Sequence, residues 1–256
     1  MILEGKVTIV TGASRGVGAG IARALAENGA IVCINYNKSK SKAEELAESI
    51  NKKGGNSFIH QADVTKFEEV KKLAETVVEK YQKVDILVNA ALPDYKFDPQ
   101  ASYTSLETVE WENFEKQING TIQGAYNTVK AVLPSMKSNH FGKIINISTN
   151  LVYNPVVTYY DYTTAKAGLV GLTRNMAAEL GSYGIRVNLV AGGLLQTTDA
   201  SSATPEEVFN LIAQNTPLKK VVTVEEFANA VVFFASDYSN AVSGQSLAVD
   251  GGLTMP

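Results

Sequence analysis

The chain has 256 residues, of which 45% are hydrophobic and 19% are charged, a balance typical of a globular protein and too apolar for a disordered one. Its 23 Lys and Arg against 26 Asp and Glu give a net charge of −3, which excludes a broad basic surface for nucleic acid or anionic membrane. The single cysteine, Cys33, excludes an intrachain disulfide, and we expect no metal site.

The N-terminal residues carry no pattern of a signal peptide, because they lead directly into a strand-like run. No apolar run approaches the roughly 20 residues that a membrane helix needs. We therefore expect a cytoplasmic protein without membrane contact.

Short apolar runs alternate with longer amphipathic stretches along the whole chain. The predicted strands are Val7–Thr11, Ile31–Asn35, Ser57–His60, Ile86–Asn89, Lys143–Ile147, Arg186–Val190 and Ser246–Val249, and predicted helices between them include Gly18–Asn28, Ser41–Lys53, Phe67–Tyr81 and Asp161–Tyr183. This alternation predicts an α/β fold of the doubly wound, Rossmann-like kind, with a seven-stranded parallel sheet and helices on both faces. No linker or repeat divides the chain, so residues 1–256 are predicted to form one domain.

Two turn-rich stretches, Leu92–Thr104 and Gly192–Pro205, follow predicted strands. In open α/β sheets, ligands bind beyond the carboxyl ends of the strands. These two stretches are therefore either the walls of a ligand site or variable surface loops.

A glycine-rich turn follows the first predicted strand, where Gly12, Ser14, Arg15, Gly16, Val17 and Gly18 stand in the run Thr-Gly-Ala-Ser-Arg-Gly-Val-Gly. Gly12 permits a tight turn, Gly16 lets the backbone approach a pyrophosphate, and Gly18 allows close packing of helix on strand. The N–H groups of the following helix would then face the phosphates. The pattern predicts a dinucleotide site.

The end of the second predicted strand indicates which dinucleotide is bound. NAD-specific sites usually place Asp or Glu there, to hold the ribose 2′-hydroxyl. This chain instead has Asn37 and Lys38, and Arg15 can reach the same place from the glycine turn. Two cations without an acid favour NADP(H), whereas the alternative is that Lys38 is a solvated loop lysine.

Tyr162 and Lys166 are four residues apart in a predicted helix and therefore share one of its faces. A phenol titrates near pH 10, so acting as an acid near neutrality requires its pKa to fall by about 3 units, or ~4 kcal/mol. An ammonium about 4 Å away supplies roughly that much at an effective dielectric of about 20. Because such a pair also arises by chance, the spacing by itself is not diagnostic.

Taken together, the motifs resemble the classical short-chain dehydrogenases/reductases over essentially the whole chain. They are the glycine turn of residues 11–18, Asp63-Val64, Asn89-Ala90-Ala91, Asn119, Tyr162-x-x-x-Lys166 and Val249-Asp250-Gly251-Gly252. The resemblance is greatest to the 3-oxoacyl-acyl-carrier-protein reductase branch, which acts in fatty acid biosynthesis. Sugar, polyol and small-ketone reductases share these motifs.

The resemblance implies a role for each matching residue. Tyr162 would be the general acid, and Lys166 would hold the nicotinamide ribose and lower the pKa of that phenol. Asn119 would fix a water that links Lys166 to solvent. The remaining implied cofactor contacts are Asp63 and Val64 at the adenine, Asn89 and Ala90 near the adenine ribose, and Thr197 near the carboxamide or pyrophosphate.

The sequence departs from the family pattern at three places. Where the family has its catalytic serine, this chain has Thr149, and Ser148 is one residue away, on the opposite face of a strand. We favour Thr149, with Ser148 as the alternative if the register slips. The usual Asn-Asn-Ala-Gly reads Asn89-Ala90-Ala91-Leu92, and the usual Pro-Gly after the sixth strand reads Gly192-Gly193.

The sequence thus predicts an NADP(H)-dependent reductase of a ketone or 3-oxoacyl thioester. One alternative is an NAD(P)-dependent dehydrogenase of a sugar or secondary alcohol, and a second is a non-catalytic NADP(H)-binding regulator. The resemblance implies a homotetramer, or a dimer, built through the long helices Trp111–Met136 and Asp161–Tyr183 and the C-terminal strand.

Overall fold

A computed structural model describes residues 1–93, 95–98, 101–196, 198, 201 and 204–256. The strands are β1 (Val7–Val10), β2 (Ile31–Tyr36), β3 (Asn56–Gln61), β4 (Ile86–Asn89), β5 (Gly142–Thr149), β6 (Ile185–Gly192) and β7 (Ser246–Val249). The α-helices are α1 (Gly16–Glu27), α2 (Lys40–Lys52), α3 (Phe67–Tyr81), α4 (Trp111–Ile118), α5 (Gly124–Ser138), α6 (Tyr160–Leu180), α7 (Glu206–Asn215) and α8 (Val224–Ala235).

The strands form one parallel sheet in the order β3-β2-β1-β4-β5-β6-β7. The predicted fold, a seven-stranded parallel sheet with helices on both faces, is therefore confirmed. Chain order reverses between β1 and β4, and this reversal opens a crevice at the carboxyl edge of the sheet, where ligands bind in such folds.

Successive residues of the central strands enter two different hydrophobic clusters. Val10 and Ile34 join the cluster beneath α1, α2 and α8, whereas Ile9 and Cys33 join the one beneath α3, α5 and α6. Side chains alternate across a strand, so a strand covered on both faces needs an unbroken apolar run. Burial among these apolar groups also raises the pKa of the Cys33 thiol, which makes it an inert part of the core.

Two predicted elements differ from the observed ones in ways that affect the site. β5 continues two residues past its predicted end and includes Thr149. The predicted long helix Trp111–Met136 is interrupted between α4 and α5 by a π-helical turn, Asn119–Gln123. Gly120 of that turn packs directly against Pro93, and at Gly124, the first residue of α5, a Cβ would stand 2.8 Å from Val64. Such turns are frequent at functional sites.

Candidate active site

The glycine turn lies at the crevice, and two of its glycines are required by close approaches. Gly12 has φ +61°, and a Cβ there would lie 2.6 Å from the Cα of Ala91. A Cβ at Gly18 would lie 2.6 Å from the carbonyl oxygen of Gly12. Both positions therefore exclude any side chain, which lets the turn fold tightly against β4 and the start of α1.

Few of the described residues approach the start of α1. Gly16 has φ +56°, and its nearest neighbour in that direction, the Cβ of Thr198, is 4.0 Å from where a Cβ would stand. The residue before the helix is Arg15, whose guanidinium cannot accept hydrogen bonds from the first N–H groups. Ser14 and Val17 flank this opening and are partly buried. The N–H groups of the first turn are thus suited to the phosphates of a dinucleotide.

Asn35, near the end of β2, shapes the turn and was not identified from the sequence. Its side-chain oxygen accepts from the Gly12 N–H at 3.3 Å, and its amide donates to the Ala62 carbonyl at 3.0 Å. The Thr11 hydroxyl likewise accepts from the N–H groups of Ala90 and Ala91, both at 3.1 Å. An amide at the end of a strand beside a glycine turn could have indicated this role.

The predicted adenine-side residues lie on the same edge of the sheet. Asn37 and Lys38 are exposed just beyond the end of β2. Burial would raise the pKa of Asp63, but hydrogen bonds from Thr65 and Asn37 outweigh it, so that the pKa lies below its ordinary value. The Asp63 carboxylate is thus a fixed, charged acceptor. The carbonyl of Val64 accepts from Asn127 at 2.9 Å, which ties this segment to α5.

Asn89 ends β4 within a buried chain of hydrogen bonds. Its amide donates to Asn146 at 2.9 Å, and its oxygen accepts from the Thr128 hydroxyl at 2.6 Å. Asn146 in turn donates to Thr173 at 2.9 Å. The chain links α5, β4, β5 and α6, and so fixes the two central strands at the edge where the crevice opens.

Tyr162 and Thr149 are brought together. The first turn of α6 carries Tyr162, which is 7% exposed, and Thr149 at the end of β5 lies near enough to the phenol to lower its pKa. Ser148 faces elsewhere and donates to the backbone carbonyl of Lys166 at 3.1 Å. Of the two hydroxyl candidates, the geometry places Thr149 beside the phenol.

The Lys166 ammonium contacts the backbone beside the phenol. The Lys166 ammonium donates to the carbonyl of Ile147 at 2.8 Å and lies 5.9 Å from the centroid of the Tyr162 ring. Burial raises the pKa of Tyr162 to about 12, although Thr149 lowers it by a smaller amount. Burial lowers the pKa of Lys166 to about 8. The lowering of the phenol's pKa by Lys166 stays a prediction.

The structure describes Asn119 but not Thr197, the other two residues that the resemblance assigns to the site. Asn119 begins the π-helical turn and is exposed, and this turn packs against α6. Thr197 lies outside the described residues.

At Gly192, where the family has proline, a Cβ would stand 3.0 Å from the ring of Phe227, and the neighbouring Gly193 is crowded as well. A Cβ at Gly193 would stand 3.2 Å from the amide nitrogen of Asn150 and 3.0 Å from the Cβ of Asp250. The Asn150 amide donates to the Asp250 carboxylate at 3.0 Å, and Thr254 donates to the same carboxylate at 2.6 Å. The glycine makes room for a buried link between the end of β5 and the C-terminal residues.

Asp161 and Tyr95 were also missed by the sequence reasoning. Asp161 is 1% exposed, and its carboxylate accepts from the Tyr162 N–H at 2.7 Å and from the Tyr95 hydroxyl at 3.1 Å. The Tyr95 ring stacks on that of Tyr162, with centroids 5.1 Å apart. A carboxylate next to the candidate acid, and a loop rich in aromatics after β4, were the available signals.

Within the part of the chain that the structure describes, no cluster of three or more His, Cys, Asp or Glu could hold a metal ion. The helices described there include none with the length and apolarity to cross a membrane.

Comparisons with known proteins match the whole chain. Residues 12–254 match the family model described as Enoyl-(Acyl carrier protein) reductase. The 3-oxoacyl-[acyl-carrier-protein] reductase FabG of Staphylococcus epidermidis is 37% identical over 252 residues, which are 98% of this chain and 99% of that protein. The enzyme of the same name from Thermotoga maritima is 33% identical over 257 residues and the full length of both chains.

Among solved structures, a putative gluconate dehydrogenase from Agrobacterium tumefaciens superposes with a TM-score of 0.90 at 30% identity, covering 99% of this chain and 98% of that one. These relatives are oxidoreductases, which favours an enzyme over the alternative of a non-catalytic regulator. The chain is therefore an oxidoreductase that uses a nicotinamide cofactor, and it belongs to the short-chain dehydrogenase/reductase family.

Proposed function

We propose that this enzyme reduces a ketone or a 3-oxoacyl thioester to the hydroxy compound, with NADP(H) as its cofactor. The observation that carries the proposal is that the buried Thr149 side chain, at the end of β5, lies near enough to the Tyr162 phenol to lower its pKa, with Lys166 one turn further along α6. The names of the curated relatives, 3-oxoacyl-[acyl-carrier-protein] reductases, support the thioester as a substrate class.

The crevice fits a dinucleotide. The pyrophosphate would lie at the N-terminus of α1, against Gly12 and Gly16, where the Arg15 side chain does not cap the first N–H groups of the helix. Arg15, Asn37 and Lys38 would hold the 2′-phosphate.

At the adenosine end, Asp63 would accept from the adenine amino group, with Val64 beside the ring, and Asn89 and Ala90 would contact the adenine ribose. These residues all follow the carboxyl ends of strands, so they line one continuous path along the sheet edge.

The nicotinamide, when bound, supplies the hydride that reaches the carbonyl carbon. Tyr162 donates its phenolic proton to the carbonyl oxygen, which becomes the hydroxyl of the product. Thr149 donates a second hydrogen bond to the same oxygen and positions the carbonyl. Lys166 would hold the nicotinamide ribose and return a proton to Tyr162, and Asn119 would fix the water through which Lys166 regains a proton from solvent.

The test is NADPH oxidation at 340 nm with acetoacetyl thioesters and simple ketones. Tyr162→Phe is expected to lower kcat by about 10²- to 10⁴-fold, the usual contribution of a positioned proton donor. Tyr160→Phe, two residues away on the same helix, is the matched control and should keep wild-type turnover. Equal turnover in the wild type and Tyr162→Phe would remove Tyr162 as the acid.

The cofactor assignment has its own test. Lys38→Ala should weaken NADPH binding by about tenfold and leave NADH binding nearly unchanged, because only NADPH carries the 2′-phosphate that a charged hydrogen bond would hold. An unchanged preference for NADPH would contradict the placement of the 2′-phosphate at Lys38.

A second candidate is the oxidation of a sugar acid or secondary alcohol with NAD. The structural similarity to a protein named as a putative gluconate dehydrogenase favours it. The same side chains would act in reverse, with Tyr162 accepting the proton. NAD reduction with a panel of polyols, compared with NADPH oxidation by ketones, distinguishes the two.

A further inference from the structure

Four aromatic residues, Tyr95, Phe97, Tyr103 and Tyr159, form what we call the aromatic roof over Tyr162. Tyr95 stacks on the Tyr162 ring at 5.1 Å and 23°, and Phe97 meets it edge-on at 5.2 Å and 84°. Tyr103 and Tyr159 pack against Tyr95 at 5.0 and 6.0 Å. The surface next to the candidate acid therefore consists largely of aromatic faces and edges.

Tyr95 is fixed in this roof by the Asp161 carboxylate. The hydroxyl of Tyr95 donates to Asp161 at 3.1 Å, and the same carboxylate oxygen accepts from the N–H of Tyr162 at 2.7 Å. Burial, together with the nearby Asp161 carboxylate, raises the pKa of Tyr95, so its hydroxyl stays protonated and remains a donor. The carboxylate lies in the first turn of α6, where the helix dipole stabilises a negative charge.

A second tie holds the far end of the roof. The Thr158 hydroxyl, just before α6, donates to the carbonyl of Thr104 at 2.7 Å. The residue that follows Tyr103 is thus attached to the entrance of the same helix that carries Tyr162.

The roof also carries negative charge. Asp161 and Asp98 both lie close enough to Tyr103 to raise its pKa, after the larger effect of burial. An anionic group on a substrate would be repelled by these carboxylates, whereas a neutral group would not.

We propose that the aromatic roof, with Tyr95 held by Asp161, is the specificity wall of the substrate site and selects a carbonyl compound that bears a flat, uncharged aryl or conjugated group. This inference rests on the proposed function, because that function places the substrate carbonyl at the Tyr162 hydroxyl. A substituent on that carbonyl then meets the roof. Flat groups stack on or abut aromatic rings, whereas a saturated ring of the same size has no flat face to offer.

The first experiment compares acetophenone with cyclohexyl methyl ketone, which share one carbon skeleton. The ratio of their kcat/KM values should fall by about two- to twelve-fold in Tyr95→Leu relative to the wild type, the range expected for losing an aromatic pair. Intrinsic reactivity cancels in this comparison of ratios. Tyr95→Phe keeps the ring without its hydrogen bond and should give an intermediate ratio. Tyr238→Leu, at a tyrosine that is 74% exposed, should leave the ratio unchanged.

Binding of the two ketones is measured in parallel by saturation-transfer NMR, which needs no turnover. Stronger saturation of acetophenone in the wild type, lost in Tyr95→Leu, supports the roof as the contact. Turnover of both ketones with the same ratio in the wild type and Tyr95→Leu overturns this inference and leaves the proposed function standing. If no ketone or thioester is turned over, the proposed function is overturned. If acetophenone is then saturated equally in the wild type and in Tyr95→Leu, the inference about the aromatic roof is overturned as well.

Charge selection is tested with 4-acetylbenzoate against acetophenone. Asp161→Asn keeps an acceptor for Tyr95 but removes the negative charge, so the relative kcat/KM for the carboxylated ketone should rise several-fold. An unchanged ratio in Asp161→Asn would overturn the electrostatic part of the inference.

Discussion

The buried chain of amides and hydroxyls between β4 and β5 leads to a quantitative prediction. Asn146 is fully buried, and its side chain makes hydrogen bonds of 2.9 Å with Asn89 and 2.9 Å with Thr173. In Asn146→Leu, a side chain of similar size fills the same space, but Asn89 and Thr173 lose the hydrogen bonds that they make with Asn146. Each buried polar group that is left unsatisfied costs about 1–3 kcal/mol. We expect the free energy of unfolding to fall by about 3 kcal/mol.

The expected change in melting temperature follows from the length of the chain. At about 2.1 cal/mol/K per residue, unfolding 256 residues carries an entropy of about 0.54 kcal/mol/K. A loss of about 3 kcal/mol should therefore lower Tm by about 5–6 °C. Urea unfolding followed by circular dichroism gives the free energy, and a thermal scan gives Tm.

The control variant is Asn175→Leu, at an exposed asparagine of α6 that bonds only its own helix at Gly171. Its effect should stay within about 0.5 kcal/mol of the wild type. A double variant, Asn146→Leu with Asn89→Leu, should cost less than the sum of the two single variants by about 1 kcal/mol, because both remove the same bond. An Asn146→Leu protein as stable as Asn175→Leu would refute the reasoning that this chain stabilises the central strands.

Three further predictions concern the glycine turn, the buried ammonium and the hydroxyl beside the phenol. Gly12→Ala should destabilise the protein and weaken NADPH binding more than Gly16→Ala. Both glycines have positive φ, but only at Gly12 would the added Cβ lie 2.6 Å from a backbone atom. Urea unfolding and cofactor titration measure the two effects. Burial lowers the pKa of Lys166 from 10.5 to about 8, so between these pH values the unfolded chain binds more protons than the folded protein. The free energy of unfolding should therefore rise with pH in this range. In Lys166→Met this rise should be lost, as measured by urea unfolding at a series of pH values. Thr149→Val should lower kcat far more than Ser148→Ala, and the reverse order would assign the substrate hydrogen bond to Ser148.

Much of the fold followed from the sequence because buried parallel strands are continuous apolar runs. The predicted and observed bounds of β4 and β7 agree, and so do those of α3. The end of β5 was placed too early because Ser148 and Thr149 are polar, although α6 and the turn after the strand bury both of them. Polarity alone does not reveal this burial by neighbouring elements.

The π-helical turn could not have been predicted from periodicity. The helical pattern runs without a break through this region, and the interruption coincides with contacts from distant segments, since Gly120 packs on Pro93 and Gly124 on Val64. Similarly, the hydrogen bond between Tyr95 and Asp161 joins residues 66 positions apart. Motif spacing identifies residues that are close in the chain, and such long-range pairs need the fold.

The electrostatics of Tyr162 bear on the direction of the reaction. Burial raises the pKa of the phenol to about 12, and the Lys166 ammonium donates to the carbonyl of Ile147. Tyr162 therefore stays protonated at neutral pH, which suits a proton donor. Reduction requires the protonated phenol of Tyr162, which donates a proton, whereas oxidation requires its phenolate, which accepts one. The same side chains should therefore catalyse reduction at neutral pH, and oxidation only as the pH rises.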